Sequence, residues 1–111
     1  MSYPEAITRE EEARIKAQTI IEQIGVQNRM ACGFRNPTYE SGEQFDVRVR
    51  AKVGRANRLI EIVLELNDTY TVRLIKVPTA RAKDPSLKTL EESSDVYADM
   101  LGEVVYSKVN K

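Results

Sequence analysis

Histidine and tryptophan are absent from this 111-residue sequence, cysteine occurs once, and 17 basic residues balance 17 acidic ones. The lack of histidine excludes Ser-His-Asp and Cys-His catalysis and zinc sites that contain histidine. A single cysteine, Cys32, forms neither an internal disulfide nor a thiolate zinc site. The zero net charge argues against a globally basic protein that coats nucleic acid, but it is compatible with a local charged patch.

Long apolar runs and nucleotide-binding motifs are also missing. The longest apolar runs, such as Ile62-Val63-Leu64, are far shorter than the roughly 20 residues of a membrane-spanning helix. The N-terminus is polar and acidic, without the apolar segment of a secretory signal. Neither Gly-x-x-x-x-Gly-Lys nor Gly-x-Gly-x-x-Gly occurs. We therefore expect a cytoplasmic protein with no cofactor, no metal site and no membrane association.

Two pairs of carboxylates and one thiol remain as candidates for chemistry. Asp95 and Asp99 share a helix face at a spacing of four, and Glu61 and Glu65 share a strand face. Such pairs can act as acid and base or hold a hard cation. The helix dipole, solvation and pairing with arginine are the simpler explanations. Cys32 lies in an apolar stretch, which favours core packing, so we predict no catalytic residue.

The first part of the chain has the pattern of an amphipathic helix. Thr8 and Glu11 have the spacing of a capping box, and Gly25 stands where a C-cap belongs. Between them, apolar residues recur with a helical period at Ala13, Ala17, Ile20, Ile21 and Ile24. The pattern predicts a helix over residues 8–24.

Strand signals follow the helix. Residues 27–34 form a short candidate strand that Gly33 weakens, and the turn residues of 35–42 predict a loop. Phe45, Val47 and Val49 alternate with charged residues, which predicts a strand with one apolar face. A connection is expected over residues 52–57.

The clearest hairpin signal lies in residues 59–77, where two alternating runs flank Asn67-Asp68-Thr69. A two-residue turn at Asn67-Asp68 would pair polar with apolar side chains on one face. A three-residue turn over 67–69 keeps all six apolar side chains on one face. The predicted pairs are Leu66 with Tyr70, Leu64 with Val72, and Ile62 with Leu74.

The C-terminal part predicts a long connection and a second helix. Residues 79–92 are polar, contain Pro85 and show no clear period. Residues 95–107 show a helical stripe, with Ser94 as a suitable N-cap. Gly102 costs about 1 kcal/mol in a helix interior, so we expect close packing against the sheet there. The stripe consists of Tyr97, Leu101, Val104, Val105 and Lys108.

Together these elements predict one domain, residues 1–111, of the α+β class. Both predicted helices have one apolar stripe, and the predicted sheet has one apolar face. The expected architecture has two layers, with a three- or four-stranded antiparallel sheet and the N- and C-terminal helices on one face. The other face of the sheet is expected to be open to water or to a partner.

Positive charge is concentrated in two segments. Residues 44–58 and residues 70–88 each carry five positive charges and one negative charge. The strand alternation places arginines on the outer sheet face, and the 52–58 loop flanks that face. Such a surface can meet phosphates or an acidic protein, whereas cross-strand pairing with Glu61 and Glu65 is the alternative explanation. The candidate partner-binding residues are Arg48, Arg50, Lys52, Arg55, Arg58 and Arg73.

Two stretches carry a family resemblance. They are Leu66-Asn67-Asp68-Thr69-Tyr70-Thr71-Val72 and Val96-Tyr97-Ala98-Asp99-Met100-Leu101. Together with Ile24-Gly25 and Gly33 at the corresponding intervals, they resemble a group of small phage and prophage proteins with no assigned function. The resemblance covers about residues 19–106. It implies a phage or mobile-element origin and supplies no catalytic residue.

These observations favour a small, non-enzymatic accessory protein of a phage or mobile element. We expect it to bind a host or phage protein, or a second copy of itself, in the cytoplasm of the host cell. The alternative is a nucleic-acid-binding protein that uses the basic outer sheet face and the 52–58 loop.

Overall fold

The computed structural model describes residues 9–54, 57–79, 81 and 83–110. Five antiparallel strands form one sheet in the order β1-β2-β3-β4-β5, with helices at both ends of the chain. The predicted α+β class is therefore confirmed, but the sheet has five strands rather than three or four. The elements are α1 (Arg9–Ile24), α2 (Val26–Cys32), β1 (Arg35–Ser41), β2 (Val47–Lys52), β3 (Arg58–Leu64), β4 (Tyr70–Lys76), β5 (Lys88–Val96), a 3₁₀ turn (Ala98–Met100) and α3 (Leu101–Val109).

The core lies between the helices and one face of the sheet. The predicted stripe of α1 is buried, and it packs with the predicted apolar face of the strands and with α3. The predicted first helix is confirmed from Arg9 to Ile24, and Gly25 ends it with a φ of +89°. Thr8, half of the predicted capping box, lies outside the described residues. Core residues include Ala17, Ile20, Ile24, Val47, Val49, Ile60, Ile62, Val72, Leu101 and Val105.

The predicted strand over residues 27–34 is wrong, because Val26–Cys32 forms α2. Two glycines at positive φ, Gly25 and Gly33, bound this short helix. Gly33 takes the left-handed conformation, and its N–H donates to the carbonyl of Met30 at 3.2 Å. Gly33 is thus a helix C-cap rather than a strand bulge.

The predicted loop over residues 35–42 contains the edge strand β1. Every residue of β1 is exposed, so the strand has no buried face to produce an alternating pattern. Pro37 lies where the register with β2 shifts, and Asn36 has a φ of +52°. Both features are typical of edge strands, which avoid pairing with other chains.

The second edge strand, β5, begins at Lys88 and takes up the last five residues of the long connection predicted over residues 79–92. It extends to Val96, so Ser94 and Asp95 lie in a strand and do not start the helix predicted over 95–107. The α-helix begins later, at Leu101. Gly102 faces the junction of α1 and α2, where a Cβ would lie 2.5 Å from the carbonyl oxygen of Ile24. The predicted close approach is therefore to helices rather than to the sheet.

The hairpin of β3 and β4 has the predicted face but a shifted register. Leu64 pairs with Tyr70 and Ile62 with Val72, so the three-residue loop is 66–68 rather than 67–69. Asp68 has a φ of +66°, and its N–H donates to the carbonyl of Glu65 at 3.1 Å. The third residue of such a loop takes the left-handed conformation, which Asp tolerates and β-branched Thr69 does not.

Candidate anion-binding surface

The outer face of the sheet carries a row of four residues with alternating charge. Arg50, Glu61, Arg73 and Glu92 lie directly opposite one another on β2, β3, β4 and β5. Arg50 Nε lies 2.6 Å from Glu61 Oε2, and Arg73 Nη1 lies 2.7 Å from Glu61 Oε1. Arg73 also pairs with Glu92. We call this row the ion-pair ladder.

Glu61 is the centre of the ion-pair ladder, and its carboxylate is buried. Burial alone would raise the pKa of this carboxyl group, but the hydrogen bonds from Arg73 and Arg50 outweigh it and lower the pKa. The ionised form is therefore the form that the folded protein stabilises.

The lowered pKa of Glu61 predicts a stability contribution that depends on pH. It is fully present above the unfolded pKa of about 4.3 and is lost as the pH falls through the lower folded pKa. We expect the difference in unfolding free energy between wild type and Glu61→Gln to shrink from pH 6 to pH 3, measured by urea denaturation. Glu103→Gln, at an exposed position of α3, is the control. A difference that does not change with pH would contradict this role.

Arg48 is the third arginine of the outer face. It pairs with Glu40 of β1, and its guanidinium carbon lies 5.0 Å from the centre of the Phe45 ring. The outer-face placement of Arg48, Arg50 and Arg73 is as predicted, and all three are paired with carboxylates. Glu65, the other predicted partner, accepts instead from the hydroxyl of Thr71. The charges of this face are therefore largely satisfied within the sheet.

A second row lies at the end of the sheet, and all of its charges are positive. Arg58, Lys76 and Lys88 lie directly opposite one another on β3, β4 and β5. Among the described residues, none of the three forms an ion pair with a carboxylate. We call these three residues the cationic row. Its members have the cross-strand geometry of the ion-pair ladder without the acidic partners.

Further positive charge surrounds the cationic row. Arg35 and Lys52 form another directly opposed pair of cations, on β1 and β2 at the same end of the sheet. Lys83 lies in the loop between β4 and β5. We call the cationic row together with Arg35, Lys52 and Lys83 the basic end.

The predicted loop candidates lie at this basic end, but in different places. Lys52 is the last residue of β2 and Arg58 is the first residue of β3. The strand alternation puts Lys52 on the outer face and Arg58 on the helix side. Arg55 lies outside the described residues. The sequence prediction missed Lys76, Lys83 and Lys88, although the charge count of residues 70–88 indicated them.

Two clefts open beside the cationic row. The first, of about 330 Å³, has three lysines and two hydroxyl-bearing residues in its wall. We call it the lysine cleft; it is lined by Lys76, Pro78, Thr79, Lys83, Asp84, Ser86 and Lys88. The second, of about 440 Å³, combines five apolar side chains with polar groups, and we call it the apolar cleft after those side chains. It is lined by Ala31, Cys32, Val53, Gly54, Arg58, Leu74, Val109 and Asn110.

The opposite end of the sheet is acidic. A cleft of about 420 Å³ there contains Glu12, Glu43 and Asp46. Lys16 neutralises part of this charge, because its Nζ lies 2.9 Å from Glu12 and 2.7 Å from Asp46. The molecule thus separates positive and negative charge along the strands, and this separation can orient it in the field of a polyanion.

Comparison with protein-family models, curated proteins and solved structures found no match to this chain. The resemblance to small phage and prophage proteins therefore stays a prediction. Within the described ranges, no helix has the length and apolar character needed to cross a membrane. The same residues contain no group of three side chains suited to hold a metal ion.

Proposed function

We propose that this protein binds the phosphate backbone of a nucleic acid through its basic end. The observation that carries the proposal is the cationic row, in which Arg58 faces Lys76 and Lys76 faces Lys88. Like charges directly opposite on neighbouring strands destabilise a sheet, by up to about 1 kcal/mol for each pair. A bound polyanion converts this repulsion into attraction.

The ion-pair ladder strengthens this interpretation, because it shows a different arrangement in the same sheet. There the residues opposite Arg50 and Arg73 are glutamates, and the charges stabilise the fold. The cationic row does not contribute to stability in this way. Positions that violate a local rule without structural compensation are frequent at functional sites.

The basic end, and not the paired arginines of the outer sheet face, is the nucleic-acid surface in this proposal. Arg48, Arg50 and Arg73 are engaged with carboxylates, so a phosphate would have to displace those partners. Within the described residues, the lysines of the basic end form no ion pair with a carboxylate. The described residues that line the two clefts of the basic end include no aromatic side chain, so contact is expected mainly with phosphates rather than through base stacking on rings.

A charge reversal in the cationic row separates binding from stability. Lys88→Glu places a carboxylate opposite Lys76, so we expect the unfolding free energy to rise by about 0.2–1 kcal/mol. The affinity for a fluorescein-labelled 20-nucleotide strand at low salt should fall at least tenfold. The measurements are urea denaturation and fluorescence anisotropy.

The matched control is Arg48→Glu in the outer face. This variant places a second carboxylate opposite Glu40 and removes an ion pair. The protein should therefore become less stable, while its affinity for the strand should change less than twofold. Equal loss of affinity in both variants would contradict a localised site. No measurable binding by wild type would remove the proposal.

An acidic protein surface is the competing ligand of the basic end, in line with the sequence-based prediction of a phage or host partner. A pull-down with and without nuclease distinguishes the two. We expect nucleic acid to be recovered and co-purified proteins to disappear after nuclease treatment. A stoichiometric protein that survives nuclease and loses contact in Lys88→Glu would favour protein docking instead.

A further inference from the structure

We propose that the two clefts of the basic end together hold one nucleoside phosphate unit, with the base in the apolar cleft and the phosphate in the lysine cleft. The ligand is either a free nucleotide or the unpaired terminal nucleotide of a strand. This inference rests on the proposed function and specifies the chemical unit that the site takes.

The apolar cleft suits a planar group with apolar faces and a polar edge, because apolar side chains and polar groups both line it. Its volume of about 440 Å³ falls within the roughly 300–1,000 Å³ of small-ligand pockets. Cys32 and Val53 are fully buried and form its inner wall, while Leu74 and Val109 are only half-buried. An inserted base would therefore remove exposed parts of Leu74 and Val109 from water, which is favourable.

Polar groups at the same cleft can read the edge of a base. The side-chain nitrogen of Asn110 donates to the carbonyl of Tyr106 at 3.2 Å and contacts the sulfur of Cys32 at 3.7 Å. Its side-chain oxygen accepts no hydrogen bond from the described part of the chain. Because an amide oxygen is an acceptor, it can receive a hydrogen bond from a ring N–H or an amino group.

The lysine cleft has the composition of a phosphate site. Lys76, Lys83 and Lys88 supply three ammonium groups, and Thr79 and Ser86 supply hydroxyl groups. Asp84, the one carboxylate among the described residues of the cleft, accepts a hydrogen bond from the Ser86 N–H at 2.9 Å. One negative charge thus stands against three positive charges, and the balance favours a phosphate that carries one or two negative charges.

One cross-strand pair of residues forms the boundary, or rim, between the two clefts. Arg58 lines the apolar cleft and Lys76 lines the lysine cleft, and these residues face each other across β3 and β4. The Cβ atoms of such directly opposed residues lie about 5 Å apart. A sugar that bridges this rim would place its base on one side and its phosphate on the other. The bases of an intact duplex are stacked and paired, so they cannot enter the apolar cleft without being extruded.

Isothermal titration with four probes tests the proposal: adenosine 5′-monophosphate, adenosine, inorganic phosphate and a blunt 20-base-pair duplex. We expect the monophosphate to bind at least tenfold more tightly than adenosine or phosphate alone. Val109→Trp fills the apolar cleft and should weaken monophosphate binding at least tenfold, while duplex affinity changes less than twofold. Asn110→Ala, at an exposed position, should weaken monophosphate binding about fivefold. This second variant tests the site even if Val109→Trp does not fold.

The outcomes separate this inference from the proposed function. If the monophosphate binds no better than phosphate, or if neither variant changes its affinity, the nucleoside site is wrong, whereas duplex binding that depends on Lys88 leaves the proposed function standing. If no probe binds, both fail. Competition between the monophosphate and a single strand with a 5′-phosphate distinguishes the sources. If the monophosphate displaces the bound strand at equal concentration, the free nucleotide is the preferred ligand. If it does not, the strand end is the preferred ligand.

Discussion

Replacement of Ile62 by alanine is expected to destabilise the protein by about 2–5 kcal/mol, the range for truncating a fully buried large aliphatic side chain. Ile62 has no exposed surface, and it lies between Val49 of β2 and Val72 of β4 in the centre of the sheet. Its removal leaves a cavity beneath the helices that neighbouring strands, held by ladder hydrogen bonds, cannot close.

Urea denaturation of Ile62→Ala and Leu66→Ala measures this effect with a matched control. Leu66 lies in the hairpin loop next to the same strand and is 68% exposed, so its truncation should change stability by no more than about 0.5 kcal/mol. A loss of less than about 1 kcal/mol for Ile62→Ala, which is below the range for a buried aliphatic residue, would mean that the assignment of the core face is wrong.

Replacement of Gly102 by valine is expected to cost about 3 kcal/mol, at the upper end of typical overpacking effects. A Cβ at this position would lie 2.5 Å from the carbonyl oxygen of Ile24 and 2.6 Å from Asn28 Nδ2. Asn28 Nδ2 itself donates to that carbonyl at 2.9 Å. Valine would therefore push α3 away from the junction of α1 and α2 and break a hydrogen bond there.

The control for Gly102→Val is Ser107→Val, at an exposed position of the same helix. That substitution tests the helix propensity of valine without the steric conflict, and it should change stability by about 0.5 kcal/mol or less. Both are measured by thermal and urea unfolding. If Gly102→Val stabilised the protein, as substitution of an exposed helical glycine does, the tight packing of α3 on α1 and α2 would be contradicted.

Burial explains which elements could be predicted from the sequence. The first helix and strands β2, β3 and β4 each contribute one face to the core between the helices and the sheet, and the requirement to bury that face imposes a period on their apolar residues. The hairpin face followed from this period alone. The position of the loop could not be predicted in this way, because a shift of two residues in the register keeps the same face buried. Only the tolerance of Asp68 for a positive φ decides between a loop over 66–68 and a loop over 67–69.

The elements that were missed bury too little to leave a pattern. β1 has no buried residue, and β5 buries only its last residue, Val96. α2 spans seven residues and buries only Cys32, which is too few turns for a helical stripe. The two edge strands are held by pairing to a neighbouring strand rather than by side-chain burial, and such pairing depends on tertiary structure.

The candidate site was predictable as a charge pattern but not as a surface. The sequence shows positive segments over residues 44–58 and 70–88, and the outer-face arginines were correctly placed. Whether a cation is paired or free depends on the residue opposite it. That residue is known only once the register of β4 with β5 is fixed, because Lys76 meets Lys88 while Arg73 meets Glu92.

The salt dependence of nucleic-acid binding tests the basic end most directly. For a single strand, the slope of log K against log salt is about −0.7 for each phosphate neutralised. The cationic row therefore predicts a slope of about −2 or steeper for wild type, and Lys76→Gln/Lys88→Gln should make the slope shallower by more than about 1. Arg48→Gln should leave it unchanged. A wild-type slope near zero, or the same slope in all three proteins, would contradict nucleic-acid binding through the basic end.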